Sequence, residues 1–421
     1  MTRMEPRRVR GAVSLSLAML IGILLTPLTG RPARAATPVS TCSANLNSPD
    51  TTYILTTDLV CVGAPAPAVR ISATNVTFDL NGHTISGTAS GVAGNCFVPA
   101  SSGGNQDTIG IEVTATSAAH ISGGTVRAFG RGIHLTHASV SQLIHFTATQ
   151  NCFGVQLEVS SGNQIANASI MDNQGCGIQI GNVQTTIVND SNDNFVNNNT
   201  VTGNASPQIL CGGIDIVNSD SNVVQGNDFS RSGIFGVRLL GISGTDNTIK
   251  NNVVNDTATG GHPHTGIEAF MSLGGNVIKD NDCSRNAIGL MLIDGGGSIV
   301  QNNTCNDSVI DDYNPIPEQP GLAARQISGT GIYFYVGNGG VITQGNTVDR
   351  NGRYGILVDE GPGGGVTNFG NTFKVNTAFS NGVFDLADRN PGAPPACLNS
   401  WQKDKFVTDN EGDGPNAGCI Q

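Results

Sequence analysis

The sequence predicts an all-β protein, a single-stranded right-handed parallel β-helix of about 11–13 coils with disulfide-closed ends. Three observations lead there. A Gly followed by an aliphatic residue recurs at 110, 132, 154, 177, 213, 236, 266, 289, 331, 355 and 382, in steps of 22–24 residues or that unit lengthened by an insertion. Within each unit, three runs of two or three alternating positions are separated by Asn and Gly turns, as in "GVRLLGISGTDNTIKNNVVND" (236–256). Composition agrees: Gly is 56 of 421 residues, charge only 13 % and aromatics 5 %, with no long amphipathic helical pattern. A unit this short cannot bury its apolar face alone, so it must stack on copies of itself.

Taken in order, the chain opens on a leader. Arg3, Arg7, Arg8 and Arg10 precede the apolar run "GAVSLSLAMLIGILL" (11–25), and "ARA" (33–35) has the small-x-small pattern of a cleavage site. Residues 1–35 read as a signal peptide, the alternative being an uncleaved anchor, for which the run is short. No later stretch is apolar for long enough to span a bilayer. The expected organisation is 1–35 signal peptide, 36–74 N-terminal cap and lead-in, 75–390 β-helix and 391–421 C-terminal disulfide cap. Removing residues 1–35 leaves 15 basic and 31 acidic residues, a net charge of −16. A surface this acidic disfavours nucleic acid and anionic lipid and is compatible with calcium or neutral glycans. The mature protein is expected to be secreted or periplasmic, with no membrane insertion.

Inside the repeat, Ile and Val on alternate positions should point inward and stack. Asn199, Asn227, Asn252, Asn281, Asn303, Asn346 and Asn371 each stand two residues before an apolar or Cys position and read as one structural column. Asn tolerates left-handed backbone angles, and stacked amides can hydrogen-bond along a ladder.

All ten cysteines follow the leader, an even number consistent with disulfides in an oxidising compartment. Cys283 and Cys305 fall on the same inward position of adjacent coils, about 4.8 Å apart, within disulfide range. Two stacked reduced thiols are the alternative. Cys42 with Cys61 would close the N-terminal end, and Cys397 with Cys419 the non-repeating tail, where a β-helix otherwise exposes a sheet edge. Cys96, Cys152, Cys176 and Cys211 leave three pairings open. Both Cys152–Cys176 and Cys176–Cys211 would join adjacent coils.

With the repeat and the first coil "NVTFDLNGHTISG" (75–87) in view, the chain resembles the parallel β-helix repeat proteins of the pectate-lyase-like superfamily over nearly all of 50–390. The tail with Trp401 is similar to the disulfide-closed caps of exported β-helix proteins. The resemblance implies the fold. It implies function less, because one scaffold hosts many activities.

Candidate chemistry follows from the insertions, the largest of which (203–212, 256–265 and 306–330) precede a Gly-Ile strand. Loops at one corner of successive coils should wall a groove whose floor is the outward position after each Gly-aliphatic pair: Glu112, His134, Gln156, Gln179, Asp215, Arg238, Glu268, Met291, Tyr333 and Leu357. In polysaccharide-active members of the superfamily the substrate groove resembles this surface. Asp215, Arg238 and Glu268 occupy consecutive coils, which sets the two acids roughly 9–10 Å apart at the backbone. Inverting glycosidases hold their carboxyls roughly 6.5–9.5 Å apart, and Arg238 could neutralise a uronate. The alternative is a solvated charge ladder. In "GGHPHTGIEAF" (260–270), His262 and His264 are expected on the groove wall. His264 joins Asp215, Arg238 and Glu268 as a candidate catalytic group, and His262, Tyr313, Tyr333, Tyr335, Gln179 and His134 are candidate substrate-binding residues. Loop histidines without a role are the alternative. A zinc site would need a third ligand from Glu268, Asp256 or Asp311, which nothing in the spacing demands. "PHTGIE" is similar to the Pro-His element of β-helix uronate epimerases over a few residues only, and no role is carried across on it.

Hydrolase signatures of the polygalacturonase type ("NTD" with a downstream Asp-Asp, "GHG", "RIK") are absent, as is a dense Asp cluster for calcium. Met171, Met271 and Met291 are dispersed, so a copper site like that of NosD-type β-helices is not expected, and no cofactor is expected. The leading expectation is an exported β-helix that binds a polysaccharide and, as an enzyme, would be a lyase, glycoside hydrolase or uronate epimerase. A non-catalytic surface or matrix rod is the alternative.

Overall fold

The structure, a computed structural model, describes residues 35–62, 67–87, 108–181, 191–205, 211–241, 244–259, 262–272, 274–311, 327–359, 368–390, 397–412 and 418–421. Every regular element among them is a strand. The strands form three parallel sheets of 14, 13 and 5 strands, apart from one two-stranded antiparallel hairpin. One coil shows the plan. Phe235–Leu240 lies in the 13-stranded sheet and Thr248–Lys250 in the 14-stranded sheet. Val253 then bridges Asp228 and Asp282 on the third side, and Thr265–Phe270 returns beside Phe235–Leu240. On that third side the regular five-stranded sheet gives way to a file of single bridges from Ser169 through Thr377 to Lys405. The predicted parallel β-helix is therefore present, and its 13-strand sheet agrees with the expected coil number. Pairing runs from Thr37–Val39 to Ser400–Gln402, through the segments expected as lead-in and cap. Residues 1–34 of the expected signal peptide lie outside the described residues.

The core is the lumen. In the 13-stranded sheet, hereafter the second sheet, Val155, Ile178, Ile214, Val237, Ile267, Leu290, Ile332 and Ile356 are register partners in sequence, and all are buried. The 14-stranded first sheet sends in Ile165, Val196, Val224, Ile249, Ile278 and Val300 in the same manner. Burying each such side chain is worth about 1.5–3 kcal/mol, shared with the coils above and below.

The recurring Gly has a steric cause. Added Cβ atoms would sit 2.6 Å from Ile170 Cγ2 at Gly154 and 2.5 Å from Cys305 Cβ at Gly289. The chain turns into the second sheet there, pressed against the inward residue of the third side, and only a residue without Cβ fits. Gly382 does not share the position: Gly355 faces Asp385, and Tyr354 pairs with Phe384, so Asp385 takes the slot in the last coil.

The asparagine column is an amide ladder with one corrected member. Asn199, Asn227, Asn252, Asn281, Asn303, Asn346 and Asn376 each donate Nδ2–H to the Oδ1 of the next rung at 2.9–3.0 Å, ending on Asp404. The backbone N–H of each rung donates to the same oxygen. Asn371 belongs to another corner, where it receives Val341 N–H and donates to Asn399. Its apolar neighbour two residues on, Phe373, faces inward from the first sheet rather than the third side. The left-handed angles are taken by the residues just before the rungs, for example Asn198, Gly226, Asn251 and Asn302 at φ 53–67°.

Disulfides join Cys42–Cys61, Cys176–Cys211, Cys283–Cys305 and Cys397–Cys419. The end closures and the Cys283–Cys305 pair are as expected, the latter with Cα atoms 4.6 Å apart. Of the two coil-joining alternatives, Cys176–Cys211 forms. Cys152 is also disulfide-bonded, and Cys96 lies outside the described residues.

Candidate functional site

Alternation along the second sheet sends one side chain per coil outward between two inward ones. The register makes these a single file: Glu112, His134, Gln156, Gln179, Asp215, Arg238, Glu268, Met291, Tyr333, Leu357 and Ala387. Polar types occupy the first seven places and apolar types the last four.

The file is not an open floor, which corrects the expected exposed groove. Asp215 is 2 % exposed, Arg238 4 %, Glu268 1 % and His264 3 %. Facing away from the lumen does not place a side chain in water when other parts of the chain lie against that face. The charges are accordingly paired rather than solvated. Arg238 donates Nε–H to Asp215 Oδ1 at 2.9 Å and Nη2–H to Oδ2 at 2.8 Å, a bidentate bond. Its guanidinium carbon lies 4.8 Å from the centroid of the Phe235 ring. Glu268 is the register neighbour of Arg238 on the next coil. Arg238, Glu268 and His264 each make further polar or ring interactions.

Toward the N-terminal end the file continues as a hydrogen-bonded chain. Arg131 Nε–H donates to Gln156 Oε1 at 2.6 Å, and Gln156 Nε2–H to Gln179 Oε1 at 2.7 Å. His134 Nε2 stands 3.3 Å from Glu158 Oε2, near enough to pair when protonated, although no well-aligned hydrogen bond forms. Glu112 pairs with Arg70 at 2.7 Å at a more exposed place.

The histidine stretch is held by the frame. Ala258–Thr259 pairs antiparallel with His262–Pro263, and His264 N–H donates to Thr257 O at 2.9 Å. Thr257 N–H and Oγ1–H both donate to Asn286 Oδ1, and Asn286 Nδ2–H reaches back to Val254 O. His264 thus enters the strand Thr265–Phe270 four residues before Glu268. The structure brings His264, Glu268, Arg238 and Asp215 onto neighbouring coils, and Gln179 and His134 further along the file.

The tyrosines are a second correction. Tyr333 is fully buried and Tyr335 6 % exposed, in an apolar cluster with Ile288, Met291, Tyr354 and Leu357 outside the second sheet. Tyr333 donates its hydroxyl to Asp359 Oδ2 at 2.9 Å, and Arg389 Nη2–H donates to the Tyr354 hydroxyl at 2.6 Å. Neither ring offers a free face to a sugar. Tyr313 lies outside the described residues. Arg131, Glu158 and Phe235 also stand at this file and are not among the residues expected from the repeat. Glu158 was findable, standing two places after Gln156 on the same face. Phe235 was not, because it precedes Gly236 and so lies outside the run counted from the Gly-aliphatic pair.

Residues 262–390 match the family described as right handed beta helix region, and residues 69–268 the family described as periplasmic copper-binding protein (NosD). The chain is a right-handed parallel β-helix protein. No curated protein matches it. Among solved structures it is similar to a double mutant of the periplasmic alginate epimerase AlgG, at 11 % identity over 86 % of this chain and 77 % of that one, TM-score 0.44. The A-module of the Azotobacter vinelandii mannuronan C-5 epimerase AlgE4 matches at 11 % identity over 87 % and 89 %, TM-score 0.45. The tailspike gp61 of Pseudomonas phage phi297 matches at 11 % identity over 79 % and 50 %, TM-score 0.43. Likeness at this level assigns no role to a residue of this chain.

The donors present do not match the copper named by one family. Among the described residues one group gathers three ligand atoms within 4.8 Å of one another: Cys176, Cys211 and Asp215. Its two sulfurs are joined to each other and its carboxylate is held by Arg238. Neither sulfur is a thiolate, so the group does not fit a copper ion. Met291 is buried in the apolar cluster and Met271 is 38 % exposed elsewhere. No helix among the described residues is long and apolar enough to cross a membrane.

Proposed function

We propose that the chain is an exported protein that binds a polysaccharide at the polar stretch of the second sheet and acts on it by proton transfer, as a lyase or uronate epimerase. The supporting observation is the register file itself, in which Asp215, Arg238 and Glu268 stand on three successive strands, with His264 at the head of the third. Asp215 fixes the orientation of Arg238, a cation suited to a uronate carboxylate. Neutralising that carboxylate acidifies the adjacent C–H, and Glu268 and His264 are the groups able to take and return the proton. Disulfides fit export to an oxidising compartment. Residues 1–35 would be the leader and 391–421 the C-terminal cap. The epimerases among the similar structures act on such substrates, which is consistent with this reading.

The test is activity and binding of the exported protein on uronate-containing and neutral polysaccharides, with Glu268→Gln and His264→Ala beside the parent. The reading requires loss of turnover in both variants with the fold retained. Unchanged turnover in both would place the chemistry elsewhere. A second reading, a non-catalytic rod, is favoured by the near-complete burial of the same residues. It requires that no glycan be bound or altered by the parent.

A further inference from the structure

The outer face of the first sheet gathers lysines from several coils into one file. Each coil contributes a strand of three residues whose middle side chain faces the lumen and whose flanking two face out. In register along one edge stand Gln225, Lys250, Lys279, Gln301, Gln344 and Lys374. Three of the protein's five lysines therefore share one file. All three are half-buried, and none has an ion-pair or hydrogen-bond partner among the described residues.

Two features make this file unusual. Lys250 and Lys279 are direct register partners, about 4.8 Å apart, and like charges placed opposite each other in a ladder are destabilising. The chain has 32 acids, yet none stands in this file from Gln225 to Lys374. Several cations on other faces are each paired with a carboxylate: Arg238 with Asp215, Arg285 with Asp256, Arg350 with Asp307 and Arg70 with Glu112. The nearest acid in sequence, Asp280, is turned round the corner at φ 55° and accepts a bond from Asn302. Beside the file, Val277, Ile299 and Ile342 form a parallel apolar edge.

We infer that this face is a second binding surface, distinct from the polar file of the second sheet, for a linear anionic polysaccharide lying along the helix axis. The Lys250–Lys279 pair supplies the main charge contact, with Lys374 three strands further on, roughly 14 Å away. Gln301 and Gln344 offer amide donors and acceptors to hydroxyls between them. A duplex nucleic acid fits less well, because its dense charge is repelled by the acidic remainder of the molecule.

Polygalacturonate activated with carbodiimide and mixed with the full protein tests this, since activated carboxylates couple to lysine amines and the second-sheet file contains no lysine. Coupled peptides containing Lys250, Lys279 and Lys374 are expected, and they should decline as ionic strength rises. The triple variant Lys250→Gln, Lys279→Gln, Lys374→Gln, which places at each site the residue its register neighbours carry, should lose at least tenfold in affinity for polygalacturonate. If that variant melts below the parent, Lys250→Gln alone should still lose about threefold. Coupling confined to Lys403 and Lys405, undiminished binding by the variants, or tighter binding of single-stranded DNA or phosphatidylserine vesicles than of polygalacturonate would each overturn the inference.

Discussion

Replacing Asp404 with Asn should stabilise the protein near neutral pH and do nothing in acid. Asp404 is the last rung of the long amide ladder, 6 % exposed, and its Oδ1 accepts Asn376 N–H at 2.7 Å and Asn376 Nδ2–H at 2.9 Å. Burial pushes its pKa up to about 6, although the bonds from Asn376 and Gln402 pull the other way. The unfolded value is about 3.8, so the folded state holds the proton more tightly. The stabilising contribution of the protonated group is complete below pH 3.8, shrinks as pH rises and is gone above the folded value. A separation of about 2 units corresponds to about 3 kcal/mol. Asparagine keeps the acceptor oxygen and carries no charge to desolvate. Asp404→Asn should therefore gain up to about 3 kcal/mol at pH 7.5 and lose that advantage by pH 4. Thermal melts of parent and variant across that range read it directly, with hydrogen exchange in the last coil as a local check. A variant less stable than the parent at pH 7.5, or a gain that does not vary with pH, would refute the reasoning.

Asp215→Asn should cost about 3–5 kcal/mol by leaving the buried Arg238 guanidinium without its bidentate partner. Asp215→Leu with Arg238→Met should recover most of that in a denaturation cycle, whereas a neutral single variant would show that the pair is not desolvated. Gly289→Ala should lose about 1–3 kcal/mol, because its Cβ would meet Cys305 Cβ at 2.5 Å. An unchanged melting point there would contradict the steric account of the glycine repeat. Val254→Asp and Phe229→Asp put unpaired carboxylates at fully buried lumen positions and should unfold several coils together. Separate loss of a single coil by hydrogen exchange would show weak coupling between coils. Peptides mapped without reduction should carry Cys42–Cys61, Cys176–Cys211, Cys283–Cys305 and Cys397–Cys419 links, and free thiols at either end pair would remove the closure argument.

The sequence by itself determined the period, the parallel stacking and the contents of the outward file. A β-helix repeats one local geometry, so alternation within a strand and a glycine at each corner suffice to assign faces. Asp215, Arg238 and Glu268 were aligned this way and are register partners. Tertiary structure alone decided where counting from the repeat fails. Coils differ in length, so Asn371 and Asn376 both satisfied the local pattern, and only the ladder bonds of neighbouring coils set Asn376 above Asn346. Asp385 replaced the expected Gly382 for the same reason. The choice of Cys211 as partner of Cys176 needed the coils in place, since disulfide formation depends on distance across the stack and not along the chain. Burial of the polar file was likewise invisible beforehand. Periodicity says which way a side chain leaves its strand, but whether it then meets water or protein depends on what the rest of the chain lays against that face.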